Sequence, residues 1–422
     1  MRTGFIQAGV RRRGNLVTDC DKGSRLTPSE YLIAQARALT PVLDAAAPRI
    51  EAACALPPDV LDALHAARFF RMLLPRSQGG AEIDLASFFE VICAIAEGDA
   101  STAWSVSQSS GCAMSAAYMD PQAAREVFGD PRAVLAWGFP SAQCTAAAVD
   151  GGWKLSGTWS FGSGNRHATW LGGHCQATGA DGAAIERTML IPRPDATILE
   201  GTWNVVGLRG TGSDSYTVSG LFVPSKYSIV CRATGRDQHL AADAVAPAEP
   251  ERRETGTLYR FSPTSVYQCG FAGVSLGIAR AVLDSFVALA KQKTPSGMSI
   301  ALRDNHAIQS RVAQAEARLG SARSWLRELL RSAWDECAAS GRVGFEHRVQ
   351  LRLASTYAIH EAREVVEACY ADAGATAIFE SHPFERRMRD MHAASQQVQS
   401  SFAHFQSVGQ HYLGLKPGLR FI

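Results

Sequence analysis

Two polar residues of this 422-residue chain could carry proton chemistry. His392 follows Asp390 by two positions, and the segment from 391 to 402 contains no acidic residue. An imidazole with an unperturbed pKa of about 6.5 can accept a proton from an acidic O–H or N–H group, or donate one, near neutral pH. Ser163 lies between two glycines, and its hydroxyl can accept a hydrogen bond from a bound molecule. His392 and Ser163 are therefore the candidate catalytic residues.

Both residues also have a purely structural interpretation. A single histidine inside a helical bundle is more often a packing residue whose nitrogens are hydrogen-bonded within the protein. A serine beside glycine is typical of the turn that ends a strand. The residue types alone leave both interpretations open.

The spacing of apolar residues predicts which elements must position these side chains. Residues 27–132 carry apolar side chains at helical spacing, with helix starts at Thr27, Asp59 and Asp84, and predict an N-terminal helical domain. Residues 133–236 contain short β-favouring runs between glycines and predict a small β-barrel or sandwich domain.

Residues 263–422 predict a C-terminal bundle of four long helices, the last from about Phe384 to Leu413. The remaining segments are a flexible N-terminal tail, 1–26, and a polar surface loop, 237–262. The fold class is therefore mainly α with a central β-domain.

Composition excludes several classes of protein. The 42 basic and 40 acidic residues leave a net charge of +2, too small for the field that nucleic-acid binding needs. The ten cysteines form no C-x-x-C pair and indicate free thiols in a reducing compartment. No segment has the features of a signal peptide, and none is long and apolar enough to span a bilayer. We expect a cytoplasmic protein without a membrane partner.

A metal site is not predicted either. His167, His174 and His382 stand too far from other histidines, cysteines or acids to match the ligand spacing of a zinc or iron site.

Short motifs follow one another in a fixed order along the chain. Taken singly, each has an explanation in turn chemistry or helix salt bridges. Taken in order, between about Thr27 and Leu415, they resemble the acyl-CoA dehydrogenase superfamily. The motifs are Pro75-x-x-x-Gly79-Gly80, Ser101-Thr102-Ala103-Trp104, Trp159-x-Phe161-x-Ser163-Gly164, Gly207-Leu208-Arg209-Gly210-Thr211-Gly212-Ser213 and Arg389-Asp390.

The region after the Arg389-Asp390 pair indicates the branch of that superfamily. Dehydrogenases carry a carboxylate base there, commonly in a Tyr-Glu-Gly segment, and this chain has none. His392 instead resembles the functional histidine of the reduced-flavin monooxygenases, which include 4-hydroxyphenylacetate hydroxylase oxygenase components, the secosteroid phenol hydroxylase and dibenzothiophene monooxygenase. In that branch the serine matching Ser163 lies near flavin N5.

The resemblance implies an oxygenase component of a two-component flavin-dependent monooxygenase. Such an enzyme uses FADH2 or FMNH2 and O2, through a C4a-hydroperoxyflavin, to hydroxylate a small aromatic substrate, phenolic or indolic. No G-x-G-x-x-G motif joins a strand to a helix, so electrons must come from a separate NAD(P)H-dependent flavin reductase. The alternatives are an acyl-CoA dehydrogenase-like FAD oxidoreductase and a non-catalytic flavin-binding homologue.

The resemblance also assigns binding residues and an assembly. It implies a homotetramer in which Arg303 and Gln309 reach the flavin of a neighbouring subunit, although solvated surface arginines are the plain alternative. Trp104, Gln108 and Trp137 are candidates for the substrate pocket, or ordinary core residues. The full set of expected cofactor-binding residues is Phe139, Trp159, Phe161, Ser163, Arg209, Thr211, Arg303, Gln309, Arg386 and Arg389.

Overall fold

A computed structural model describes residues 26–418, except 180, 181, 183 and 231–251. All of the expected N-terminal tail but Leu26, and the expected surface loop as far as residue 251, lie outside the described residues. The first part of the described chain is helical. Its helices are α1 (Pro28–Ala53), α2 (Pro58–Ala66), α3 (Leu85–Gly98), α4 (Ala100–Ala113) and α5 (Pro121–Phe128).

Capping side chains explain where two of these helices begin. Thr27 forms a capping box with Glu30, and Asp84 accepts a hydrogen bond from the backbone N–H of Ser87. The expected cap at Asp59 is wrong, because α2 begins one residue earlier and Asp59 pairs instead with Arg49, 2.7 Å away.

In the middle of the chain, the described residues form one mixed sheet of nine strands. β4 and β8 pair antiparallel along most of their length, and Trp159 of β4 stacks on Tyr216 of β8 in the core of the sheet domain. The strands are β1 (Leu135–Trp137), β2 (Phe139–Pro140), β3 (Thr145–Val149), β4 (Gly152–Ser160), β5 (Trp170–Thr178), β6 (Ala184–Pro192), β7 (Thr197–Leu199), β8 (Ser215–Pro224) and β9 (Ser228–Val230).

The C-terminal part is again helical, but its last predicted helix is broken. The helices are α6 (Pro263–Ala290), α7 (His306–Ser340), α8 (Phe345–Ala373), α9 (Phe384–Ala394) and α10 (Ala403–Tyr412). The hydroxyl of Ser400 donates to the carbonyls of Ser395 and Gln397, and His404 Nε2 lies 2.7 Å from the carbonyl of Val398. These local side-chain bonds compete with helical ones, so the chain turns between α9 and α10.

Helix α6 joins the two helical regions, because it packs against α3, α4, α8 and α9 within one apolar core. Gly277 permits this close approach, since a Cβ there would lie 2.4 Å from the carbonyl oxygen of Cys93. The helix also corrects one expectation. Among the described residues, α6 is long and apolar enough to cross a membrane, with a mean hydropathy of 1.6, yet 67% of that apolar window is buried inside the protein.

Candidate active site

The start of α4 is held rigidly. Asp99 accepts hydrogen bonds from the backbone N–H and the hydroxyl of Thr102, each at 2.7 Å. Burial raises the pKa of the Asp99 carboxyl, and the bonds from Thr102 oppose that rise. Gly98, the last residue of α3, lets that helix approach α1, because a Cβ there would meet the carbonyl oxygen of Thr40 at 2.6 Å. With its first turn capped by Asp99, α4 presents its first side chains, including Trp104, in a fixed direction.

Ser163 lies in a tight turn directly after β4. Phe161 has a φ of +57°, a left-handed conformation that a bulky residue rarely adopts. At Gly162 a Cβ would lie 2.9 Å from both Asn165 Nδ2 and the carbonyl oxygen of Asp214. Asn165 Nδ2 donates to that same carbonyl at 2.6 Å, which holds the turn against the segment before β8. The turn leaves Ser163 only 5% exposed.

A chain of short hydrogen bonds runs through Ser163, and we call it the hydroxyl relay. Trp104 Nε1 donates to Ser163 Oγ at 3.1 Å, and Ser163 Oγ lies 2.8 Å from Ser213 Oγ. Ser213 Oγ lies 2.7 Å from Thr211 Oγ1, which donates to the carbonyl of Leu208 at 2.8 Å. The relay brings together Trp104, Ser163 and Thr211, all singled out by the sequence. Ser213 was part of a motif but was not assigned a role.

Exposed aromatic rings lie beside the relay. Phe139 is 65% exposed and Phe161 58% exposed, and their ring centroids are 6.2 Å apart. Phe161 also meets the edge of Trp203, with centroids 5.8 Å apart. We call Phe139, Phe161 and Trp203 the aromatic rim. A planar ring system with one N–H donor fits this arrangement, because the rim offers apolar faces and Ser163 a buried hydroxyl. Arg209, in the turn that also carries Thr211, is exposed.

Trp159, expected to bind the cofactor, lies elsewhere. Its side chain is 0% exposed, and its indole N–H donates to the carbonyl of His174 at 2.8 Å. In this structure Trp159 packs in the core of the sheet domain and supports the strand that leads to Ser163. Its expected role in cofactor binding stays a prediction.

The Arg389-Asp390 pair holds the loop 206–208 against α9. Asp390 Oδ1 accepts from the backbone N–H of Leu208 at 2.6 Å, and a Cβ on Gly207 would lie 2.1 Å from the carbonyl oxygen of Arg389. Arg389 itself donates to Glu385 at 2.8 Å and to the carbonyl of Val206 at 2.7 Å, and it also bonds Glu51. These protein acceptors give Arg389 an anchoring role, and the cofactor-binding role expected of it stays a prediction.

Arg386 is largely buried, and its expected role in cofactor binding stays a prediction. Its side chain is only 12% exposed and lies 3.9 Å from Asp44. Burial raises the pKa of the nearby Asp390 to about 7, and the charge of Arg386 opposes that rise. Arg386 therefore balances buried carboxyls. Its neighbour Arg387, which the sequence did not single out, is 7% exposed and donates to Asp44 at 2.8 Å.

Arg303 and Gln309 form a separate site at the start of α7. Both are exposed, and Gln309 Nε2 donates to the carbonyl of Arg303 at 2.9 Å. Arg303 lies 3.7 Å from Asp304. Within the described residues, none of their contacts reaches the relay, so their role toward a neighbouring subunit stays a prediction.

Behind Ser163 lies a stack of aromatic rings. Trp104 stacks on Phe271 of α6 with centroids 4.2 Å apart, and Phe271 stacks on Tyr267 at 6.0 Å. The predicted pocket residue Gln108 is half-buried one helical turn after Trp104, and Trp137 is half-buried with its ring edge-on to His174. Tyr267 and Phe271 were not predicted as site residues, although their spacing of four places them on one face of a helix.

Buried serine hydroxyls follow Trp104 along α4. Three of them make no hydrogen bond to another described residue, a condition that is costly unless a ligand or water occupies the space beside them. They belong to Ser105, Ser107 and Ser109.

His392 lies on another side of α9 from Asp390. Its Nε2 is 3.4 Å from Glu367 Oε1 of α8, and its side chain is 37% exposed. Glu367 also accepts from Arg363 at 2.6 Å. Among the described residues, no hydrogen bond or ion pair joins His392 to Ser163, so the catalytic role of His392 stays a prediction. Its carboxylate partner was not foreseen.

A helical layer, a mixed sheet and a helical bundle, in this order along the chain, make up the acyl-CoA dehydrogenase fold. Residues 269–402 match the family "Acyl-CoA dehydrogenase, C-terminal domain". The crystal structure of 3-HSA hydroxylase from Rhodococcus sp. RHA1 superposes with a TM-score of 0.81 at 25% sequence identity, covering 93% of this chain and 99% of that one.

Sequence relatives define the branch. Indole-3-acetate monooxygenase of Pseudomonas putida is 31% identical over 363 residues, which cover 85% of this chain and 87% of the relative. The oxygenase component of the FADH2-dependent resorcinol hydroxylase of Rhizobium sp. is 26% identical over 96% of this chain and 99% of its own. The chain belongs to the flavin-dependent monooxygenases of the acyl-CoA dehydrogenase superfamily, and its reaction uses reduced flavin and O2.

Proposed function

We propose that this enzyme receives FADH2 or FMNH2 from a separate NAD(P)H-dependent reductase and hydroxylates a small phenolic or indolic substrate. The observation that carries the proposal is the buried Ser163 hydroxyl, placed between the exposed aromatic rim and the stack of Trp104, Phe271 and Tyr267. The bound reduced flavin activates O2 there. Relatives named for indole-3-acetate and resorcinol support an aromatic substrate.

The position of each residue in the site indicates its role. Ser163 would accept a hydrogen bond from the N5–H of a bound reduced flavin, and the aromatic rim would shield the flavin ring from water. Arg209 lies on the exposed side of the relay, where it can reach a phosphate. Trp104, Gln108 and Trp137, with Tyr267 and Phe271, line the substrate side.

His392 acts on the substrate as a base toward its O–H or N–H, or as a proton donor during oxygen transfer. Glu367 orients the imidazole from α8. A histidine left partly exposed beside one carboxylate can turn toward a substrate without breaking the core of the bundle.

The proposal extends to the assembly. A homotetramer would bring Arg303 and Gln309 of one subunit to the flavin phosphates of another, since both side chains are exposed at the start of α7. We place the enzyme in the cytoplasm, in keeping with its free cysteines.

The test mixes the purified protein with FADH2 or FMNH2 without oxygen and then adds 18O2 with a panel of phenols and indoles. Mass spectrometry should find one 18O atom in the product of at least one compound, and none when the protein is left out. A protein that carries tight yellow FAD and is reduced by an acyl-CoA without oxygen would contradict the proposal and favour a dehydrogenase.

A further inference from the structure

The protons of the hydroxyl relay can be assigned one by one. The carbonyl of Leu208 has no proton to give, so the proton between it and Thr211 Oγ1, 2.8 Å away, belongs to Thr211. A hydroxyl has one proton, so Thr211 must accept from Ser213, 2.7 Å away. Ser213 has then used its own proton and must accept from Ser163, 2.8 Å away. The relay therefore runs in one direction, from Ser163 toward Leu208.

At the other end of the relay, Trp104 donates a hydrogen bond to Ser163. The indole N–H of Trp104 can only donate, and it points at Ser163 Oγ from 3.1 Å. Ser163 thus donates its proton to Ser213 and accepts one from Trp104. A hydroxyl oxygen has two acceptor lone pairs, so one lone pair remains for a ligand. Ser163 is 5% exposed, which leaves little water to exchange with these bonds.

We infer that Trp104, Thr211 and Ser213 are positioning residues that make Ser163 an acceptor only, and that the site thereby selects reduced over oxidised flavin. Reduced flavin carries N5–H, a donor that matches the free lone pair. Oxidised flavin presents an N5 lone pair, which would face the lone pair of Ser163. The inference rests on the proposed function, because it concerns flavin bound beside Ser163. It adds a discrimination between redox states that a serine alone does not supply, since a free hydroxyl can rotate to donate or to accept.

The relay also explains the spacing of Thr211 and Ser213 in their sequence motif. Thr211 and Ser213 stand two residues apart around Gly212, whose φ of +51° turns both hydroxyls toward the same line of bonds. A Cβ at Gly212 would lie 2.6 Å from the carbonyl oxygen of Cys54, so a glycine is needed to hold the turn there. The backbone thus sets the spacing of the two hydroxyls.

The experiment measures dissociation constants of FAD and of FADH2, the second without oxygen, and compares their ratio between variants. Ser213→Ala releases the Ser163 proton, which can then point at oxidised N5. Its affinity for FAD should rise about two- to tenfold relative to FADH2, the range for one hydrogen bond. Thr211→Val cuts the relay one step further away and should change the ratio less. Ser110→Ala is the matched control, because Ser110 is a buried serine of α4 that bonds the carbonyl of Phe69 and lies outside the relay.

The reduction potential of bound flavin provides a second readout. Tighter binding of FADH2 raises the potential of bound flavin above that of free flavin, and Ser213→Ala should lower it toward the free value. A loss of folding alone would weaken both redox forms and leave the ratio unchanged.

Each outcome decides the inference. A lower preference for FADH2 in Ser213→Ala, a smaller change in Thr211→Val and none in Ser110→Ala support it. An unchanged ratio in Ser213→Ala, or a wild-type protein that binds both redox forms equally, overturns the inference but leaves the monooxygenase reaction standing. A wild-type protein that binds neither form and hydroxylates nothing overturns the proposed function itself. If Ser213→Ala does not fold, Thr211→Val carries the same comparison.

Discussion

The hydroxyl relay and the end of α9 are built in opposite ways. Around Ser163, each polar atom of the relay has a partner within the same chain, at distances of 2.7–3.1 Å. Around His392, the imidazole is 37% exposed and lies 3.4 Å from the carboxylate of Glu367. A site whose hydrogen bonds are complete is preorganised, whereas a half-exposed side chain is free to respond to a ligand. We therefore assign cofactor selection to the relay and substrate chemistry to His392.

His392→Asn should have the largest effect. It should lower hydroxylation by roughly 10²-fold or more, the usual scale for a lost general base, while leaving the melting temperature and the binding of reduced flavin near wild-type values. Product formation, thermal melting and flavin titration on the same preparation measure all three.

The matched control is His411→Asn, which removes another half-exposed histidine beside a carboxylate, since His411 Nε2 lies 3.0 Å from Glu346 Oε2. It should hydroxylate normally. If His392→Asn instead melts early and the remaining folded protein hydroxylates at the normal rate, His392 only packs the bundle and the comparison fails.

Asp390 belongs to the same helix as His392, but it is as buried as Ser163. It therefore tests how burial affects a polar group of α9. Burial raises its folded-state pKa to about 7, above the usual value for an aspartate. The folded protein therefore holds this proton more tightly than the unfolded chain does. The stability that results is present below about pH 4 and is lost as the pH rises toward 7.

The expected result is a wild-type melting temperature that falls across that range and an Asp390→Asn variant in which the fall is smaller. The amide oxygen of the variant can still accept from Leu208 N, so a change in slope reports the charge alone. The corresponding free energy is on the order of 1–4 kcal/mol. Parallel curves for the two proteins would show that Asp390 does not titrate in this window.

Ser163→Ala probes the relay directly and should have a smaller effect than the changes at His392 and Asp390. Loss of one hydrogen bond of about 1 kcal/mol should divert turnover to hydrogen peroxide several-fold, with substrate affinity unchanged. The ratio of product to oxygen consumed measures this coupling. Equal coupling in the variant and the wild type would remove Ser163 from the mechanism, and Ser110→Ala again serves as the control for a lost buried hydroxyl.

Phe161→Leu should have the smallest effect. The exposed ring of Phe161 packs edge-on to Phe139 and Trp203, and leucine keeps an apolar side chain there without the aromatic face. Affinity for reduced flavin should fall a few-fold, in keeping with the 0.5–1.5 kcal/mol of an aromatic contact. Phe222→Leu, at an exposed phenylalanine of β8, is the matched control and should bind flavin normally. Equal affinity in all three proteins would show that the rim does not cover the flavin.

Much of the fold could be predicted because local signals carry it. Thr27 and Asp84 cap helices in the structure as their spacing predicts, and the change from helical to alternating patterns marks the sheet. The last helix was predicted as continuous but is broken in the structure, and the cause is again local. The side chains of Ser400 and His404 bond nearby carbonyls and end the helical ladder, which an apolar pattern does not reveal.

The site was only partly predictable. Motif order identified Trp104, Ser163 and Thr211, which the structure joins, but it did not reveal the surroundings of Trp159 and Arg389. Trp159 is wholly buried, and Arg389 is bonded to Glu385, Glu51 and the carbonyl of Val206. Exposure and pairing depend on residues far away in the chain, so a residue type in a motif cannot disclose them.

The sequence by itself determined the order of the three regions, the helix starts and the identity of the residues able to do chemistry, because capping, periodicity and the chemical type of a side chain are local properties. Only the tertiary structure decided how those residues act. Ser163 meets Trp104 from 59 positions away and Ser213 from 50, and His392 meets Glu367 of another helix. A hydroxyl acquires a fixed direction only from the donors and acceptors that folding places around it.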